Sequence, residues 1–109
     1  MVILSTKLRN AVRMYSRDMD LEFHLKTTVR NGYKVGCWGF IKNKGNGAII
    51  YVNTESSFLP YLGYLYRYAD NFKDYRGHRN MYAKTLEEYA EGISRCLRKT
   101  PQAVGDIRF

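Results

Sequence analysis

Hydrophobic and polar residues alternate with two different periods along this chain, and each period predicts a different kind of element. Near the N-terminus, apolar residues recur every three or four positions, which is the spacing of one face of an α-helix. Ser5 or Thr6 can cap this helix, which we expect to run to about Arg17. Its predicted buried face consists of Leu8, Ala11, Val12 and Tyr15.

The same helical spacing returns before the C-terminus. Thr85 and Glu88 stand three residues apart, which is the pattern of a capping box, in which side chains bind free backbone N–H groups at the start of a helix. Pro101 marks the end of the segment. We therefore predict a second helix whose buried stripe consists of Leu86, Tyr89, Ala90, Ile93 and Leu97.

Residues 20–42 show the two-residue alternation of a β-hairpin. Apolar side chains occupy every second position of the first half, and Asn31 followed by Gly32 is the preferred pair for a type I′ turn. The glycine-rich segment 42–47 then predicts a hairpin loop, because it joins two strands and opens no helix. A third strand follows at residues 48–53.

The turn also predicts the register of this hairpin. When the two residues that flank the turn oppose each other, Leu25 falls opposite Trp38. Phe23 likewise falls opposite Phe40. Both aromatic rings are therefore expected on the apolar side of the first strand, inside the hydrophobic layer, and not on an exposed surface that stacks bases.

The segment 60–73 fits two structures. Pro60 and a complete five-residue apolar stripe favour a helix, whereas Gly63 and the many tyrosines favour a strand. We expect the helix, followed by a loop and a short strand near Met81. The predicted stripe of this helix consists of Leu62, Leu65, Tyr66, Ala69 and Phe72.

These elements predict an α+β fold. The sheet is expected to be antiparallel with three or four strands, built from the hairpin 20–42 and the strand 48–53, and an N-terminal and a C-terminal helix are expected to cover one of its faces. A length of 109 residues is typical of one domain, so residues 1–109 are predicted to form a single basic α+β domain.

Charge narrows the choice of partner. Lys and Arg number 18 against 10 acidic residues, and the net charge of +8 with a pI near 9.6 favours an anionic partner. Residues 85–109 carry no net charge. The basic surface is therefore expected to come from the first three quarters of the chain.

The two cysteines, Cys37 and Cys96, have no partner Cys or His at the spacing of metal ligands, so we expect free thiols, no metal and no cofactor. No apolar run is long enough for a signal peptide or a membrane span. The protein is expected to be soluble and cytoplasmic, with no membrane partner.

Known nucleic-acid-binding motifs are missing from the sequence. A helix, three strands and a helix is the order of the double-stranded RNA-binding domain, which contacts phosphates with lysines at the start of its last helix. Here that position reads "TLEEYAE", which is acidic, and some 30 residues precede it after the third strand. The chain is therefore not assigned to that family.

The leading functional hypothesis is a small non-enzymatic protein that binds RNA or another nucleic acid. Basic side chains would contact phosphates, and tyrosines would stack on bases. The candidate partner-binding residues are Arg9, Arg13, Arg17, Lys42, Lys44, Tyr64, Arg67, Tyr68, Tyr75, Arg76, His78 and Arg79.

Two alternatives remain open. Tyrosine and arginine are also enriched at protein interfaces, so the first alternative is a protein-binding inhibitor or adaptor of the kind that phages use against host defences. The second alternative is a metal-independent, toxin-like ribonuclease that uses the loop 75–82, with His78, Arg79 and Tyr82 as base, cation and acid. A catalytic pair of Cys37 and His24 is disfavoured. Oligomeric state is not predicted.

Overall fold

A computed structural model describes residues 3–54, 63–74 and 78–99. In this part of the chain, five strands form one antiparallel sheet in sequential order, with one helix before it and one after it. The α+β prediction is confirmed, with one strand more than the upper estimate. The elements are α1 (Leu4–Tyr15), β1 (Leu21–Arg30), β2 (Tyr33–Asn43), β3 (Ile49–Asn53), β4 (Tyr64–Ala69), β5 (Met81–Ala83) and α2 (Leu86–Leu97).

Both helices pack on the same face of the sheet, as predicted, and we call this the helix face. Their buried residues meet apolar residues of the central strands in one core. Within the described ranges, neither helix has the length and apolar character needed to cross a membrane. The fully buried side chains of the core include Leu8, Val12, Ile41, Ile50, Val52, Tyr89, Ile93 and Leu97.

The predicted N-terminal capping residue is confirmed for α2 and is wrong for α1. At α2, the Glu88 backbone N–H donates to Thr85 Oγ1 at 3.1 Å, so the predicted cap is confirmed. At α1, neither Ser5 nor Thr6 is the cap, because the helix begins at Leu4. Ser5 lies inside the first turn instead, where its hydroxyl is 3.2 Å from Thr27 Oγ1 of β1.

The predicted register of the β1–β2 hairpin is wrong beyond the turn. An irregularity between Thr28 and Val29 shifts the pairing by one residue, so Lys26 lies opposite Trp38 and Leu25 opposite Gly39. Because successive strand residues point to opposite faces, a shift of one residue moves every following side chain of β2 to the other face. Alternation in the sequence does not record such an irregularity.

Trp38 and Phe40 therefore lie on the face away from the helices, which we call the second face. Phe40 is only 3% exposed there, in a smaller apolar cluster to which Trp38, Phe72 and Tyr82 also pack. The rings are thus in a hydrophobic layer, but not in the layer that contains Phe23. The other buried members of this cluster are Ile49, Tyr51, Leu65 and Ala69.

The helix predicted for 60–73 is also wrong, since residues 64–69 form strand β4. Tyr64, Tyr66 and Tyr68 face the helices, while the residues between them face the second cluster. Both faces of β4 are buried, so apolar residues occur at nearly every position and hide the period of two. The short strand expected near Met81 is confirmed as β5.

Gly63 permits the approach of β4 to β5. Its φ of +93° lies in the region that favours glycine, and a Cβ atom at this position would come within 2.2 Å of the Ala83 carbonyl oxygen. Gly63, which favours a strand in the sequence, is therefore required because the chain at this position passes close to the backbone of Ala83.

Tyr89 of α2 contacts the backbone of two neighbouring strands. Its hydroxyl donates to the Leu65 carbonyl oxygen of β4 at 2.6 Å and accepts from the Asn53 backbone N–H of β3 at 3.1 Å. The side chain is completely buried, and burial raises its pKa well above the ordinary value. The hydroxyl thus stays protonated and satisfies two polar groups in a place without water.

We expect Tyr89→Phe to lower the free energy of unfolding by about 1–3 kcal/mol, because it removes the hydrogen bond to the buried Leu65 carbonyl oxygen and the hydrogen bond from the Asn53 N–H. Urea denaturation followed by circular dichroism measures this change. The matched control is Tyr33→Phe, at a tyrosine that is 72% exposed, where we expect no significant change. Equal effects of the two substitutions would contradict the assigned role of Tyr89.

Candidate functional site

One end of the sheet collects three chain segments that are distant in sequence. The Asn43 and Asn46 side-chain amides, from the β2–β3 loop, both donate to the Leu97 carbonyl oxygen at the end of α2, at 2.9 and 3.0 Å. The Lys44 backbone N–H donates to the Asp20 carbonyl oxygen at 2.9 Å, in the loop between α1 and β1. The two loops and the end of the helix therefore form one surface.

Arg98 connects the end of α2 to the loop between α1 and β1. Its guanidinium donates to the Tyr15 carbonyl oxygen at 2.8 Å and forms a two-pronged ion pair with Asp18. These hydrogen bonds from Arg98 lower the pKa of the Asp18 carboxyl below its ordinary value. The α1–β1 loop is thereby attached to the last turn of α2.

Basic side chains from several elements surround this surface, which we call the basic end. Asp20 approaches Lys44 at 3.9 Å, Asp18 pairs with Arg98, and His78 pairs with Asp70. Within the described ranges, Arg13, Arg17, Arg79, Arg95 and Lys99 form no ion pair with a carboxylate, and all five are exposed. The cations of the basic end are Arg13, Arg17, Lys42, Lys44, Arg79, Arg95 and Lys99.

Two depressions lie among these cations. The first has a volume of about 350 Å³ between the end of α1 and the start of β1, and Arg13, Arg17 and Asp20 line it. The second, of about 260 Å³, lies between β4, β5 and the last turn of α2. Its walls combine apolar and basic residues: Tyr68, His78, Arg79, Met81, Arg95, Cys96 and Lys99.

Aromatic rings support several of the predicted phosphate-binding cations. The guanidinium groups of Arg9 and Arg13 lie 5.5 and 5.1 Å from the centre of the Phe23 ring, and Lys42 Nζ lies 5.9 Å from the centre of Phe72. Such contacts restrict the motion of the long basic side chains without neutralising them. Arg9, Arg13 and Lys42 therefore gain a preferred position.

The structure places Arg67 and Tyr68 in the interior, because they belong to a strand that is covered on both faces. Arg67 is 6% exposed; it donates to Asn80 Oδ1 at 3.0 Å and lies 4.5 Å above the Tyr51 ring. The Tyr68 hydroxyl donates to the Cys96 carbonyl oxygen at 2.8 Å. Arg67 therefore does not lie on the exposed surface of the basic end, and Tyr68 reaches that surface only as part of the wall of the second depression.

Tyr64 is half-buried, and its ring centre lies 5.1 Å from that of Tyr89 in the core. Tyr75 and Arg76 lie outside the described residues. Of the three tyrosines proposed to stack on bases, the two that are described thus pack inside the protein.

The candidates for ribonuclease chemistry are divided between two places. His78 and Arg79 line the second depression, whereas the Tyr82 side chain packs against the apolar cluster of the second face. Cys37 and His24 are separated more clearly, since Cys37 lies in the core on the helix face and the His24 ring contacts Phe72 on the second face. Burial raises the pKa of the Cys37 thiol to about 11, which suppresses its reactivity.

A group of possible metal ligands lies in the turn after β4. His78 Nε2 is 2.8 Å from Asp70 Oδ1, and the ligand atoms of Asp70, Asp74 and His78 lie within 4.8 Å of one another. The sequence spacing placed no histidine beside this pair of aspartates. The fold brings His78 there: its Nε2 bonds Asp70 Oδ1, and Asp74 Oδ2 accepts from the Asp70 backbone N–H.

Arg95, Arg98 and Lys99 are the functional candidates that the sequence pattern did not indicate. Their segment has no net charge, but the helix separates its charges: Glu87 and Glu88 lie in its first turn, and the cations lie at its end. That order agrees with the helix dipole. Counting the net charge of each helical turn, instead of the net charge of the whole segment 85–109, would have identified these three cations.

Comparisons of this chain with protein-family models, with curated proteins and with solved structures found no match.

We expect the Asp18–Arg98 ion pair to stabilise the fold in a pH-dependent way. The folded-state pKa of Asp18 is lowered from 3.8, so its contribution is complete above that ordinary value and disappears as the pH falls through the lowered pKa. Asp18→Asn should therefore be less stable than the wild type at pH 7 and equally stable in strong acid. Thermal unfolding at a series of pH values measures this difference.

Asp20→Asn is the matched control, because Asp20 is exposed and its carboxylate approaches Lys44 only at 3.9 Å. We expect it to change the unfolding temperature little at any pH. A pH-independent loss of stability in Asp18→Asn would show that the ion pair is not the cause.

Proposed function

We propose that this protein is a non-enzymatic binding protein that engages RNA, or another nucleic acid, through its basic end. The observation that carries the proposal is the convergence of seven cations from both helices, the β2–β3 region and the segment before β5. Six of them, all except Lys44, form no ion pair with a carboxylate within the described ranges. A polyanion supplies negative charge to the cations that have no ion pair with a carboxylate of the described residues.

The arrangement of these cations supports a phosphate backbone as the ligand. They are distributed around two depressions and along the last turns of two helices, so several phosphates can be contacted at once. Arg13 is held in place by Phe23, which reduces the entropy that is lost on binding. Successive phosphates, and not one isolated anion, match such a distribution.

The burial of Tyr64 and Tyr68 affects the expected specificity. Because Tyr68 is almost completely buried and Tyr64 packs partly against the core, neither ring is free to stack on a series of bases, and most of the affinity would come from contacts to phosphates, which carry no sequence information directly. We therefore expect binding that is sensitive to salt and only weakly dependent on base sequence.

Salt titration of RNA binding tests the proposal. For single strands, each phosphate contact changes the slope of log K against log salt concentration by about 0.7. Arg17→Gln combined with Lys44→Gln removes two cations and should make the slope about 1.4 less steep, with weaker binding at low salt. Fluorescence anisotropy of a labelled single-stranded RNA gives both quantities.

The control removes the same charge at the other end of the molecule. Lys34 lies beside the β1–β2 turn and Lys84 just before α2, and both are exposed. Lys34→Gln combined with Lys84→Gln should leave the slope unchanged. Wild-type binding that is insensitive to salt up to about 0.5 M, or an equal loss in both double variants, would contradict the proposal.

One observation favours a second candidate function, the recognition of a protein. The end of the β1–β2 hairpin exposes three large hydrophobic side chains: Val29 (57% exposed), Tyr33 (72%) and Val35 (42%). Exposed large apolar side chains are typical of protein interfaces, and these three belong to the end of one hairpin. Across the hairpin, Val29 pairs with Lys34 and Tyr33 pairs with Arg30, so an acidic surface is the partner that fits this end best.

If this hairpin binds a protein, Val29→Ser combined with Tyr33→Ser should abolish the capture of that protein from nuclease-treated lysate and leave RNA binding unchanged. Affinity purification with mass spectrometry compares this variant with the wild type. Arg17→Gln combined with Lys44→Gln is the reciprocal control and should still capture the protein. Capture that depends on the basic end, or that is lost after nuclease treatment, would contradict this second function.

A further inference from the structure

The second depression of the basic end combines an apolar floor with a positively charged rim. Tyr68 of β4, Met81 of β5 and Cys96 of α2 form the floor. The rim consists of basic side chains that approach from two directions, Arg79 before β5 and Arg95 and Lys99 from the end of α2. This combination suits a ligand that has an apolar part and an anionic part.

The floor is held in a fixed shape. The Tyr68 hydroxyl is bound to the Cys96 carbonyl oxygen at 2.8 Å, and Cys96 Sγ lies 4.0 Å from Met81 Sδ. The His78 ring stands edge-on to the Tyr68 ring, with 6.3 Å between their centres. Aromatic rings and sulfur atoms are favourable neighbours for a planar aromatic group.

The charge of the rim is not compensated by the pocket. Burial raises the pKa of both the Tyr68 hydroxyl and the Cys96 thiol, so these groups stay neutral near neutral pH. Asp70 already binds His78, and within the described ranges no carboxylate pairs with Arg79, Arg95 or Lys99. Three cations around one small opening match a phosphate group, which carries up to two negative charges near pH 7.

We propose that this pocket binds one nucleotide, with the base on the floor and the phosphate at the rim. A volume of about 260 Å³ is below the usual lower limit of about 300 Å³ for small-molecule pockets, so it accepts a single planar group and not a longer chain. The nucleotide can be a free nucleoside monophosphate or the phosphorylated end of a nucleic-acid strand. In the latter case, the inference rests on the function proposed above.

The test uses the full-length protein with ¹³C-labelled methionine methyl groups. Met81 is the methionine of the pocket floor, and its resonance is identified by its loss in Met81→Leu. Adenosine 5′-monophosphate should shift this resonance at a lower concentration than adenosine or inorganic phosphate does. Equal responses to the monophosphate and to inorganic phosphate, or no response of Met81, would overturn the proposal.

Two double variants, each of which removes two positive charges, test whether the rim binds the phosphate. Arg79→Gln combined with Lys99→Gln should weaken monophosphate binding at least tenfold, as measured by calorimetry. Lys34→Gln combined with Lys84→Gln removes the same charge from residues that do not line the pocket and should bind as the wild type does. Equal affinities of the two double variants would show that the rim does not hold the phosphate.

RNA strands with and without a 5′-phosphate separate this inference from the proposed function. If the strand end is the ligand, only the phosphorylated strand displaces the monophosphate from Met81. If the monophosphate binds and no RNA does, the pocket is a site for the free nucleotide and the proposed function is wrong. If RNA binds with the expected salt dependence and the monophosphate leaves Met81 unchanged, the pocket inference alone is wrong.

Discussion

The hydroxyl of Tyr89 is the constraint on which the arrangement of this protein depends. One buried oxygen satisfies the Leu65 carbonyl oxygen and the Asn53 N–H, so α2 has a single favourable position over β3 and β4. From that point the helix extends for two more turns, and the Leu97 carbonyl oxygen at its end accepts from the amides of Asn43 and Asn46. The basic end exists because the helix is held at both of these places.

Local patterns were sufficient for much of the fold. The α2 stripe, its Thr85 cap and the β1–β2 turn each depend on residues that are close in sequence, and each is confirmed. Two other features depend on contacts that the pattern does not contain. A helix was predicted for β4 because apolar groups cover both of its faces, and Trp38 and Phe40 changed face because the irregularity at Thr28 is a property of the backbone.

Several single residues of the candidate site could be predicted from the sequence, but their grouping at one end of the sheet could not. Arg13, Arg17 and Lys44 were identified from their spacing and their exposed segments, and the structure brings them to one end of the sheet. Arg67 and Tyr68 were expected there too, but a strand places its side chains alternately on two covered faces, so both became part of the interior. Lys99 joins the group only through the fold, because its segment has no net charge.

The separation of charge along α2 has a consequence for the encounter with a partner. Glu87 and Glu88 lie at one end of the helix, and Arg95 and Lys99 lie at the other, so these side-chain charges form a dipole that is opposite in direction to the macrodipole of the helix backbone and has its positive end at the end of α2. In the field of a polyanion, such a dipole experiences a torque before any contact forms. For the proposed polyanionic partner, this torque turns the end of α2 toward the partner, and a larger share of collisions would begin in a productive orientation.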